Sequence, residues 1–259
     1  MSKRKKQTNM RYHTLDEARG FAVLCMVFYH AFYTLSFDAN LKIGEVLFDF
    51  FTPLEPFFAM FFIILSGVCC QLSRSNLKRG LKLAAVALLL TAVTVFLSRH
   101  GMEGAEIYFG ILHLLAVGML LVALINRLLL KLPPLITAMF FLVLFVFTYN
   151  IESGTLGFGD ISFSLPNKLY LSDTLFFLGF HSGNFYSADY FPILPWIFMF
   201  LCGASIGIYA KRDKFPQSFK KLRIPFLSVI GKNALIIYIL HQPVIYGLIY
   251  TVKFFISLF

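Results

Sequence analysis

Long uninterrupted apolar runs constrain this chain more than any other feature. LAAVALLLTAVTVFL (83–97) and LITAMFFLVLFVF (135–147) contain no charged residue. A helix crossing a bilayer needs about 20 predominantly apolar residues, and the sequence supplies such stretches repeatedly. Spans are expected at 20–37, 47–73, 81–98, 107–126, 133–150, 190–210 and 232–256. Backbone polar groups in lipid must be satisfied within each span, so the runs predict helices. A membrane β-barrel would need alternating polar and apolar positions, which these runs lack. With 58% hydrophobic and only 14% charged residues, the chain has too little polar surface for a soluble domain. The expected fold is therefore all-α: a polytopic integral membrane helical bundle of about seven transmembrane helices. One such domain fills 14–259, after a basic cytoplasmic tail at 1–13.

A net charge of +10 could suggest nucleic acid, but its distribution argues for topology and against a nucleic-acid partner. In the seven-span arrangement all basic residues except Lys42, Arg99, Lys168 and Lys253 fall on one side. The bias of lysine and arginine toward the cytoplasm puts the N-terminus inside. For most of these lysines, topology and contact with anionic lipid suffice as an explanation. Cys25, Cys69, Cys70 and Cys202 all fall within spans. They show neither metal-site spacing nor an exported disulfide framework.

Local signals refine the outline. TLDE (14–17) fits a capping box, with Thr14 as N-cap and Glu17 reaching back to it. PLEP (53–56) should break the second span near its outer end and leave Glu55 beside free backbone groups. The long loop 151–189 falls outside the membrane and is too aromatic for a solvated linker. Gly203 and Gly207 form a GxxxG, a spacing that permits close helix packing.

Ionisable residues inside a membrane are costly and mark function or internal pairing. His30, His113 and His241 lie in spans; Arg19 lies at the inner boundary, and Glu55 and Asp189 at the outer one. Arg19 and His30 are eleven residues apart, close to three helical turns and about 16 Å of rise, so they share one stripe. The three histidines are open to convergence on one polar chamber, where a neutral imidazole can act as a base near pH 7. Each could equally serve as a hydrogen-bonding residue between helices. Three histidines also admit a zinc site, but no HxxxH-type spacing supports one and no metal is expected. No nucleotide-binding loop and no GxSxG motif is present.

Several stretches carry a family likeness. LDEARGFAVLCMVFYH resembles the first span of acyltransferase-3 proteins, which have an arginine and a histidine separated by ten residues. FFIILSG resembles a phenylalanine-rich Leu-Ser-Gly segment of that superfamily. IYFGILHLLAVGMLL, SADYFPILPW and GKNALIIYILHQPV resemble its heparan-α-glucosaminide N-acetyltransferase branch. The resemblance covers most of the chain. It implies a transmembrane acetyltransferase that takes acetyl-CoA from the cytosol as donor substrate. It makes His30 the catalytic residue and places Arg19 on the donor side. Arg19, Arg74, Lys78 and Arg79 would then meet the CoA phosphates, which arginine can grip in a bidentate manner. Asp189, Tyr190 and Glu55 would position an extracytoplasmic acceptor, a glycan or small molecule with a free amine or hydroxyl. His113 and His241 would orient His30, relay protons or bind the carbonyl oxygen. An acetyl-histidine intermediate is the competing route. A compact chain of this type is expected in the plasma (inner) membrane of a microbe, and a homo-oligomer is compatible with it. The alternative from another class is a proton-coupled transporter or flippase using the same ionisable residues. Such proteins usually show paired broken helices in two similar halves; here a Pro-interrupted second span and Pro243 in the seventh occur without a convincing repeat.

Overall fold

A computed structural model describes residues 11–256. The expectations for the tail at 1–10 lie outside the described residues. Nine α-helices are present among the described residues: α1 (His13–Tyr33), α2 (Lys42–Phe51), α3 (Glu55–Gln71), α4 (Asn76–Arg99), α5 (Ile111–Leu129), α6 (Pro134–Thr148), α7 (Ile193–Lys211), α8 (Pro225–Lys232) and α9 (Ala234–Ile256). Among the described residues, seven helical segments are long and apolar enough to cross a membrane: His13–Asp38, Lys42–Gln71, Asn76–Arg99, Ile111–Leu129, Pro134–Ser153, Ile193–Lys211 and Ala234–Phe255. They coincide with the seven spans expected from hydropathy. The protein is an all-α integral membrane protein. Large apolar side chains such as Phe50, Leu89, Leu124, Ile136 and Leu248 stand exposed along these helices, as lipid contact requires.

The prolines act where the sequence places them. α2 ends at Phe51, Thr52–Leu54 form a 3-10 turn around Pro53, and α3 starts at Glu55 with Pro56 behind it. Proline lacks an N–H and fits the first turn of a helix, so the chain restarts there. α1 closes differently, in a π-helical turn over Thr34–Asp38.

The chain divides into two compact units. The first comprises Met1–Phe62 and Phe215–Phe259, the second Ile63–Lys214. In the first, α1 packs most densely on α8 and also meets α9. The α1–α8 approach is backbone on backbone. A Cβ placed on Gly20 would stand 2.0 Å from the Leu227 carbonyl oxygen, and one on Gly231 1.8 Å from that of Asp16. Lipid tails are as apolar as leucine, so membrane helices associate through close packing of small residues rather than through expulsion of water. Val23, Ile230 and Ala234 form the buried core here, with Leu24, Val27 and Ile237 around it.

The expected capping box at 14–17 does not form. Helix α1 starts at His13 after Tyr12, with no side-chain cap. Thr14 Oγ1 is buried with no hydrogen-bond partner among the described residues. Glu17 reaches another helix instead: its Oε1 accepts from the backbone N–H groups of Arg223 (2.6 Å) and Ile224 (3.0 Å). Those are free donors at the start of α8, where a carboxylate also suits the helix dipole. Tertiary packing outcompeted the local motif because α8 lies against α1 at this height.

In the second unit α4 packs on α5, and α7 on α6 and α5. The Gly203/Gly207 pair of α7 meets α3. Added Cβ atoms would stand 2.1 Å from the Ile64 oxygen and 2.6 Å from the Val68 oxygen, and Gly67 replies with 2.1 Å to the Phe200 oxygen. The GxxxG is a packing device here. The long loop is folded and includes an antiparallel hairpin, β1 (Thr155–Phe158) with β2 (Ile161–Ser164), that the apolar pattern did not announce.

Candidate functional site

In the first unit the apolar face shared by α1, α8 and α9 runs into polar side chains. On α1, Arg19, Val23, Val27 and His30 recur at helical spacing and lie on one stripe. On α9, Ala234, Ile237 and His241 do the same. Val23 and Ala234 pack in the core, so the two histidines are carried together. The His30 and His241 ring centroids are 4.9 Å apart, with the planes at 51°. Gln242 Nε2 lies 3.4 Å from His30 Nδ1, and His241 Nδ1 donates to the Tyr238 carbonyl at 2.6 Å. His241 Nε2 and Gln242 Oε1 are buried without a hydrogen-bond partner among the described residues. Leaving one such acceptor unmatched costs roughly 1–3 kcal/mol, a penalty that the packing of α1, α8 and α9 sustains.

Arg19 sits at the other end of the stripe, about 16 Å of helical rise from His30. It is half-buried, and its Nε finds no hydrogen-bond partner among the described residues. Glu55 opens α3 and is half-buried, close to Tyr29 of α1.

In the second unit His113 is fully engaged. Its Nδ1 accepts from the Gly110 N–H at 3.1 Å. That bond puts the proton on Nε2, which donates to Thr91 Oγ1 at 3.2 Å, and Thr91 in turn donates to the Ile107 carbonyl at 2.7 Å. Asp189 Oδ2 accepts from the Ile111 N–H at 3.0 Å. The first turn of α5 is thus capped from two directions, by an imidazole of its own and a carboxylate of the long loop. Gly110 must be glycine for this: a Cβ there would stand 2.1 Å from Asp189 Oδ2. Tyr190 donates to the Phe176 carbonyl at 2.5 Å. Burial, with Glu152 and Asp173 nearby, pushes its phenol well above the usual value.

The loop also helps to line an open pocket of about 370 Å³, formed by Glu106, Tyr108, Asp173, Phe176, Asn184, Phe185 and Tyr186. Phe185 packs against His181 and Phe176 in tilted contacts and against Tyr190 edge-on, with centroids 5.0–5.3 Å apart. A hydrogen bond from Ser98 holds the Glu106 carboxyl below its ordinary value, and one from the Ser182 backbone does the same for Asp173. The lining joins aromatic faces to two ionised carboxylates, a surface suited to a cationic or hydroxyl-rich ligand. Sequence reasoning passed over these residues, although the aromatic, acid-bearing composition of the loop was their signal.

Arg74, Lys78 and Arg79 cluster at the α3–α4 turn and the first turn of α4, all exposed and in none of the ion pairs among the described residues. No group of three metal-ligating side chains occurs among the described residues.

A family model described as heparan-alpha-glucosaminide N-acetyltransferase, catalytic, matches residues 11–243, most of the chain. No curated protein matches, and no solved structure matches.

Proposed function

The chain belongs to the heparan-α-glucosaminide N-acetyltransferase catalytic family, and on that premise we propose that it moves an acetyl group from cytosolic acetyl-CoA to an amine or hydroxyl of an extracytoplasmic acceptor, a sugar being the favoured class. An integral membrane protein of an acetyltransferase-type family needs a reactive group inside the bilayer and a route to it from each face. The observation that carries the reading is that His30, on the α1 stripe that starts at Arg19, stands 4.9 Å from His241 of α9. With the basic clusters on the cytoplasmic side, Arg19 would lie at the cytoplasmic face and His30 deeper in the membrane. An extended pantetheine arm anchored near Arg19 would bring its thioester along that stripe toward the histidines.

The chemistry needs one proton to leave the acceptor and reach the departing thiolate. The acceptor nitrogen or oxygen attacks the thioester carbonyl while its proton passes to an imidazole of the pair. Collapse of the tetrahedral intermediate breaks the C–S bond, and the departing thiolate takes that proton to give CoA. Arg19 presents a guanidinium for the donor, and its unmatched Nε suits an oxygen ligand. The exposed Arg74, Lys78 and Arg79 are a second candidate set for the CoA phosphates. His113 acts by holding the start of α5. Asp189 and Tyr190 act on the acceptor through the loop they secure, whose aromatic and acidic cavity is the candidate recognition surface. Glu55 is the remaining acceptor-side carboxylate. The membrane proposed is the plasma membrane of a microbe.

The test is transfer of radiolabelled acetyl from acetyl-CoA to a panel of amino sugars and sugar alcohols, using purified protein in liposomes. Transfer lost in His30→Ala, with acetyl-CoA binding weakened in Arg19→Ala by calorimetry, is the expected result. No binding at millimolar acetyl-CoA by folded, monodisperse protein overturns the reading.

A further inference from the structure

We propose that Gln242 is a positioning residue that holds His30 with its proton on Nε2, and that His241 Nε2 is the lone pair that takes the acceptor's proton. This rests on the acetyl-transfer reading and divides its chemistry between the two rings. The assignment follows from which atoms are able to donate. A side-chain amide nitrogen only donates, so Gln242 Nε2 facing His30 Nδ1 at 3.4 Å requires a lone pair on Nδ1. Neutral His30 then carries its hydrogen on Nε2. A backbone carbonyl only accepts, so His241 Nδ1, 2.6 Å from the Tyr238 oxygen, carries hydrogen and leaves a lone pair on Nε2. That atom is buried with no hydrogen-bond partner among the described residues. Two imidazoles of opposite character therefore stand side by side, one offering an N–H and the other a lone pair.

An acyl transfer uses both. As the acceptor attacks, its proton moves to His241 Nε2, while the carbonyl oxygen, now gaining negative charge, accepts from His30 Nε2–H. When the C–S bond breaks, the His241 imidazolium returns the proton to the CoA thiolate and both rings regain their starting tautomers. His30 is not a nucleophile in this arrangement, because Nε2 is protonated and Nδ1 is engaged. Acetyl transfer is then a single displacement. Rotating the Gln242 amide would present Oε1 to Nδ1, move the His30 proton there and free Nε2 as a base. The amide orientation therefore decides which histidine is the base.

The experiment is ring-nitrogen NMR of the full chain labelled with 15N-histidine in detergent micelles, with His30 signals assigned by their loss in His30→Asn. The expected wild-type spectrum shows His30 unprotonated at Nδ1 and protonated at Nε2. In Gln242→Glu a carboxylate can only accept, so the proton moves to Nδ1. Gln242→Met, similar in volume, should give a mixture of tautomers. Both variants should lower kcat about 100-fold, the scale of losing one oxyanion donor, with the KM for acetyl-CoA unchanged. A wild-type proton on Nδ1, or one tautomer throughout all three proteins, overturns the proposal. The spectra need no turnover. An inactive wild type would sink the acetyl-transfer reading, while the tautomers would still decide what Gln242 does.

Discussion

Glu17 offers the sharpest test of how the first unit is held together. Its side chain sits in α1 but serves α8, where Oε1 accepts two backbone N–H groups at 2.6 and 3.0 Å. The residue is only 6% exposed, so water cannot replace the lost partner. In Glu17→Ala both donors at the start of α8 lose their acceptor. Hydrogen bonds to a charged group contribute roughly 1.5–3 kcal/mol each, and the carboxylate adds about 0.3–1 kcal/mol through the helix dipole. The two bonds share one oxygen and do not add fully, so a loss of about 3–5 kcal/mol is expected. Glu17→Gln keeps an oxygen acceptor and loses the charge, and should cost about 1–2 kcal/mol. For a chain of this size each kcal/mol moves Tm by about 2–4 °C. A thiol-reactive fluorogenic dye reads the transition, because Cys25, Cys70 and Cys202 are buried and become reactive on unfolding. Ala and Gln variants that both melt within a degree of wild type would refute the capping argument.

Gly231→Ala forces a Cβ to within 1.8 Å of the Asp16 oxygen; α1 and α8 must separate, and the dye should report a clearly lower Tm, whereas Gly247→Ala, with open space around it, should melt like wild type. Thr91→Val removes the hydroxyl between His113 and Ile107 and should cost about 1–3 kcal/mol while kcat stays within a few-fold of wild type; a kcat collapse without destabilisation would return His113 to the chemistry. The carboxyls of Asp173 and Glu106 titrate below their ordinary values of 3.8 and 4.5. A depressed folded-state pKa gives a stabilising contribution present above the ordinary value and lost as pH falls through the depressed one. Carbon-13 NMR of labelled carboxylates should therefore show both still ionised where ordinary side chains of these types are half protonated.

The membrane spans were legible because the bilayer reads sequence locally. Length and hydropathy alone decide whether a run such as 135–147 crosses, and the break at Pro53 and Pro56 follows from proline's missing N–H. The Arg19–His30 stripe was legible for the same reason, since helical periodicity is set by the backbone itself. Partnership was not legible. His30, His113 and His241 look alike in sequence, each a lone imidazole in an apolar run. Only helix rotation and packing gave His241 to His30, together with the unnoticed Gln242, and gave His113 to the α5 cap. Glu17 shows the limit most plainly. TLDE satisfies the local rule for a capping box, yet the carboxylate left its own helix for α8 once Gly20 and Gly231 let the two backbones touch. Which segments are helices and which faces they present could be read along the chain, since both depend on neighbours within a few turns. Tertiary structure alone decided which polar group meets which, because each such choice is a competition among partners as much as two hundred residues apart.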